Sequence, residues 1–137
     1  MARPEGLERA LQQRSGHLAT VRPDGRPHVV VVTFALSNDE VVTAIDQKPK
    51  DTQRLQRLVN IEANPAVSLL VDHYEEDWER LWWLRIDGRA TIHHSGHTRD
   101  GALESLIEKY PQYRDQPPTG PVIAIAMESV TFWASTP

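Results

Sequence analysis

Four cations, Lys48, Lys50, Arg54 and Arg57, fall within one short stretch of the chain. Asp51 or Thr52 can cap a helix there, which would set these charges around a helix N-terminus. Unpaired backbone NH groups and the helix dipole both favour an anion at such a place, and a phosphate suits it well. Arg54 and Arg57 suit equally the solvent face of an amphipathic helix, and spacing alone allows both. Tryptophan forms the second group, since four in 137 residues is a high density. Trp82 and Trp83 are adjacent, so on a strand they must point to opposite faces, one into a core and the other toward a ligand or partner. Trp78 stands nearby. His93, His94 and His97 do not make a metal site by spacing, because the first two diverge in an extended chain. His73 and the run Glu75, Glu76 and Asp77 read as a solvated loop, without the spaced oxygen ligands and glycine turn of a calcium site. Cysteine is absent. No serine sits in a nucleophile elbow, and neither a G-x-G-x-x-G nor a Walker loop occurs. If the protein is an enzyme, a bound cofactor must supply the reactivity.

The elements that would position these residues read as short strands with interspersed helices. Glu5 to Arg14 carries Leu7, Ala10 and Leu11 at helical spacing and stops at Ser15 and Gly16. His17 to Val21 and His28 to Leu36 are apolar runs joined by Pro23, Asp24 and Gly25, the residues of a hairpin turn. Val29 to Val32 leaves no polar face, which predicts cover on both sides, from the barrel interior and from another subunit. Ser37, Asn38 and Asp39 turn the chain into a strand at Val41 to Ile45. A helix with Leu55, Leu58 and Val59 on one stripe ends at Asn64 and Pro65. Val67 to Val71 is the next strand, and Leu81 to Ile92 is a long one with a bulge at Asp87 and Gly88. Ser95 can cap a last helix bearing Leu103, Leu106 and Ile107, which must stop by Pro111. A Pro-rich loop to Pro121 leads to a final strand, Val122 to Met127, and a tail through Phe132 and Trp133. Six or seven strands arriving in consecutive hairpins, with about three helices, predict a mainly β split barrel rather than a doubly wound sheet.

One domain spanning 1–137 is expected from the length and the 39% hydrophobic content. A net charge of −4 with dispersed Lys and Arg argues against a nucleic-acid surface. No apolar run approaches the roughly 20 residues of a membrane span, and Met1 is not followed by a secretory signal. With no cysteine to oxidise, a soluble cytoplasmic protein is the expectation.

Four stretches, Leu18 to His28, the basic helix ending Asn60 to Pro65, Val67 to Asp72, and Trp82 to Gly88, come in a characteristic order. Together they resemble the pyridoxamine-phosphate-oxidase-like split barrels that bind FMN, specifically the small deazaflavin-dependent oxidoreductases of the PPOX class. The resemblance implies a homodimer that holds coenzyme F420 and transfers a hydride to a small-molecule substrate. FMN is the alternative cofactor, and a non-catalytic carrier of F420 or flavin is the alternative role. It also assigns residues. Arg57 matches the basic residue that contacts the cofactor phosphate, with Arg54, Lys50 and Lys48 serving the phosphate or an anionic tail and Asn60 close to the same pocket. His28 and Thr33 match positions lining the ring, and Trp83 and Trp78 match an aromatic contributed by the partner subunit. Val31 stands where many relatives carry proline or a polar residue, which removes a candidate contact to the ring edge. No residue is assigned as the proton donor.

Overall fold

Gly16–Val21 (β1) alternates buried and half-buried side chains, the period of two that one covered face requires. It pairs antiparallel with Pro27–Val32 (β2) through the expected turn. Gly25 takes φ +89° there, and the Asp24 carboxylate accepts the Arg26 NH at 3.0 Å. The computed structural model describes residues 3–45 and 55–137. Lys48, Lys50 and Arg54, with the expected caps Asp51 and Thr52, lie outside the described residues.

Five further strands follow, Ala35–Ser37 (β3), Glu40–Ala44 (β4), Ala66–His73 (β5), Trp82–His93 (β6) and Val122–Ala134 (β7). All pair antiparallel in the order β2-β1-β5-β6-β7-β4-β3, so β2 and β3, consecutive in the chain, are the two edges of the sheet. This is the mainly β split barrel that the strand pattern predicts. The apolar run from His28 is therefore not one strand. It breaks at Thr33 and Phe34, where the chain crosses from one edge to the other.

The crossing is closed by a helix. The buried Tyr110 hydroxyl accepts the Phe34 NH at 3.0 Å and stands 2.9 Å and 3.1 Å from the carbonyls of Arg14 and Phe34, to which it can donate. Phe34, 2% exposed, is thus paired without a sheet neighbour. Tyr110 follows His97–Lys109 (α3), whose Ala102 and Leu106 pack with Val42 and Val122 in a smaller core. The main core fills the barrel with Leu18, Leu69, Leu84, Ile86, Ile123 and Ile125, each at most 1% exposed.

Several expected boundaries shift. The first helix is a single turn, Leu7–Ala10 (α1), because the NH groups of Gln12 and Gln13 bond three residues back instead of four. Gln56–Ala63 (α2) buries Leu58, Asn60 and Ile61, so its inner stripe runs through Ile61 and not Val59. Gly96, at φ +97°, rather than Ser95, opens α3, and no side chain caps it. Pro111 does end α3, but it also starts a fourth helix, Pro111–Asp115 (α4), since a proline at the first helical position forfeits no hydrogen bond. β7 continues to Ala134 because it pairs along the whole length of β6. The register shifts between Asp87 and Gly88, at the expected bulge. A Cβ at Gly88 would lie 2.1 Å from the Ala126 carbonyl oxygen, so only glycine fits. Among the described residues no helix is long and apolar enough to cross a membrane.

Candidate functional site

Arg57 is the second residue of α2, a helix whose described start, at Leu55, carries no side-chain cap. What fixes α2 is Asn60. Wholly buried, it donates from Nδ2 to Thr20 Oγ1 at 2.9 Å and accepts from Gln56 Nε2 at 2.7 Å, which ties the helix to the inner face of β1. Arg57 is then held partly buried, and its Nε has no hydrogen-bond partner. Burial lowers its pKa, and the neighbouring Tyr113 phenol opposes that shift. Such an unsatisfied buried donor costs stability unless a ligand accepts from it.

His28 faces Thr20 across the β1–β2 ladder. Its Nδ1 is also buried without a partner. Loss of solvation, then the charges of Arg22 and Arg57, push its pKa below the usual histidine value, so the ring is neutral at pH 7. Arg57 and Arg22 set positive charge around His28, and Arg57 and His28 leave hydrogen-bonding atoms unused, surroundings that suit a phosphate. Thr33 reaches the same neighbourhood by another route. Its Oγ1 is 2.7 Å from the Tyr113 hydroxyl, whose ring in turn influences Arg57.

The other face of the sheet carries the aromatic residues. Trp82 is 4% exposed and packs against Phe132, with ring centroids 6.4 Å apart, whereas Trp83 points outward, as their adjacency predicts. Trp83 pairs with Asp72 and Trp133 across its two ladders. The Arg85 guanidinium lies 5.8 Å from the Trp83 ring centroid. With His17, Val29 and Leu70 these residues line a cleft of about 520 Å³. His17 Nδ1, 4.0 Å from the Asp72 carboxylate, has no hydrogen-bond partner. Asp87 borders this face, and its pKa is lowered chiefly by the Ser68 hydroxyl, which donates at 2.5 Å. Trp78 sits on a short 3₁₀ turn, 67% exposed, and does not line the cleft.

One chain thus brings Arg57, His28 and Asn60 to the inner side of β1, links Thr33 to them through Tyr113, and places Trp83 on the outer side. Ala19 lines the outer cleft while its neighbour Thr20 holds α2, so the two groups occupy opposite faces of the same strand. Arg22, Tyr113, His17 and Trp133 belong to these sites but carry no motif. The pairing register, which puts His17, Leu70 and Arg85 in one row, is the signal that would have found the outer group.

A family model described as pyridoxamine 5'-phosphate oxidase matches residues 3–134. The chain belongs to that family. No curated protein sequence matches it significantly. Among solved structures it is similar to a conserved hypothetical protein of Mycobacterium tuberculosis, at 23% identity and a TM-score of 0.75, covering 98% of this chain and 87% of that one. The heme storage protein HutZ of Vibrio cholerae shares 19% identity at a TM-score of 0.73, with 98% and 95% covered. A FAD-binding protein of Mesorhizobium loti shares 22% at 0.68, with 96% and 94% covered. At these identities the pyridoxamine 5'-phosphate oxidase fold is what is shared, and its members hold chemically different ligands.

Proposed function

We propose that this chain is an F420-dependent oxidoreductase that works as a homodimer on a reducible small molecule. The observation that carries the reading is Arg57, a partly buried guanidinium whose Nε lacks a partner beside an equally unpartnered neutral His28. A cofactor phosphate would satisfy both the charge and the free donor. When bound, the reduced deazaflavin supplies the hydride. Arg57 grips the anion, and Lys48, Lys50 and Arg54, upstream of it in the sequence, are assigned by the resemblance to the phosphate or an anionic tail. His28 and Thr33 border the ring, and the Trp83 side of the cleft excludes water.

The homodimer follows from the opposed faces. Val29 and Val31 are 59% and 66% exposed on the outer side of β2, and Leu70, Trp133 and Tyr74 stand exposed beside them. A contiguous apolar face of this kind calls for a partner. A second copy of the chain is the occupant that also brings an outward Trp83 to an inward Arg57, which one chain cannot do alone.

Titrating the purified chain separately with F420 and with FMN tests the cofactor. Saturable F420 binding tighter than that of FMN is expected; FMN binding at about micromolar affinity with none for F420 overturns the choice. FMN is the competing ligand because the resemblance is to FMN-binding split barrels. Single-turnover reduction of a panel of enones, nitroaromatics and quinones separates an enzyme from a carrier, because a carrier reduces none of them.

A further inference from the structure

We propose that the elbow between α3 and α4 is a second ligand site, which takes a small oxyanion, a carboxylate or phosphate, between Arg14, Lys109 and the Tyr113 hydroxyl. These residues line a cavity of about 670 Å³ together with Thr33 and Tyr110. The two cations share one aromatic ring, since the Arg14 guanidinium is 5.6 Å and the Lys109 ammonium 5.2 Å from the Tyr110 centroid. Lys109 also sits 3.8 Å from the Phe34 ring centroid. Among the described residues neither cation has an acidic partner. Burial and the charge of Arg14 together lower the Lys109 pKa to about 8, so the pair is held together at a cost.

A structural role accounts for only part of this arrangement. Arg14 donates to the Lys109 carbonyl at 2.9 Å, which caps the end of α3, and Lys109 Nζ donates to the Phe34 carbonyl at 2.8 Å, which holds the crossing. These two bonds use one donor of each cation, and the ammonium has three and the guanidinium five. The remaining donors of two unneutralised cations suit an anion. The elbow adjoins Arg57 through Tyr113 but does not use Arg57, so it stands independently of the cofactor reading.

The experiment titrates the Arg57→Met chain, in which the neighbouring guanidinium is removed, with inorganic phosphate and separately with benzoate at constant ionic strength, following backbone amide NMR shifts. Saturable shifts at Gln112 and Tyr113 are expected. Arg14→Gln and Lys109→Gln should each weaken them by about tenfold, and Lys109→Arg should restore them. Tighter benzoate binding assigns a carboxylate ligand, and tighter phosphate binding a phosphorylated one. Absence of saturable shifts at the elbow with both probes overturns the proposal, as does binding that survives Arg14→Gln and Lys109→Gln unchanged in chains whose amide spectra remain folded.

Discussion

Replacing Arg57 with Met should move stability and affinity in opposite directions. The Met side chain keeps much of the buried stem while removing the guanidinium and its unpartnered Nε. A buried unsatisfied donor costs about 1–3 kcal/mol, and because Arg57 is only partly buried the relief should lie near the lower end, about 1 kcal/mol. For a domain of this size that corresponds to a rise of roughly 4 °C in Tm without ligand. On the proposed reading the same change should remove a charge-assisted hydrogen bond to the F420 phosphate worth about 1.5–3 kcal/mol, or about 10- to 150-fold in Kd. Thermal melts of the ligand-free chain and fluorescence titration with F420 measure the two effects on one preparation. A variant that binds F420 as tightly as the parent refutes the phosphate assignment. One that melts lower without ligand refutes the claim that Arg57 is held at a cost.

Further expectations concern the dimer, the bulge and pH. Val31→Asp places a charge on the open face of β2 and should convert the proposed dimer to a folded monomer in sedimentation equilibrium, with F420 affinity reduced. Trp83→Ala should weaken F420 binding roughly tenfold without altering Tm greatly, read by the same titration. Gly88→Ala drives a methyl group into the Ala126 carbonyl and should cost roughly 3 kcal/mol in denaturant unfolding. His28 has a lowered pKa in the folded chain, so the unfolded chain binds more protons below pH 6.5, and the stability His28 contributes is lost as pH falls through the folded value. His28→Gln should flatten that part of the stability profile in urea titrations. Asp87 acts with the same sign in a lower window, below about pH 3.8, which Asp87→Asn should remove.

What the sequence made legible was whatever local chemistry decides. The turn at Asn38 and Asp39 takes φ values of +50° and +64°, which asparagine and aspartate tolerate better than most residues. The bulge was legible because Asp87 and Gly88 interrupt an otherwise even alternation. The break at Thr33 and Phe34 was not, since its cause is Tyr110, 76 residues further on. α4 was hidden because Pro111 reads as a stop, and its second capacity, to open a helix, shows only once the chain is seen to turn there. β7 looked short because Glu128 and Ser129 end the apolar run, yet their strand is held by β6 and not by burial. At the site, Arg57 is singled out only through the family resemblance. Arg22, Tyr113 and the His17 row could not be named, because neighbours across a sheet leave no spacing in the chain.

The two edges of the sheet explain why function concentrates where it does. A closed barrel would hydrogen-bond β2 to β3 and leave the crossing at Thr33 and Phe34 no freedom to bend. Here the crossing is held by side chains, Tyr110 on Phe34 and Tyr113 on Thr33, both supplied by the end of α3 and the start of α4. That clamp draws Lys109 and Arg14 into the same elbow and sets Tyr113 beside Arg57. The open seam therefore gathers three cations that the net charge of −4 gives no hint of, while the outer face of β2 is left apolar and exposed. The proposed binding and the proposed dimer would then be two consequences of one structural choice, to pin the seam with tyrosines instead of sealing it with a strand ladder. On that view Tyr110→Phe should disturb the crossing, the Arg57 surroundings and the elbow together.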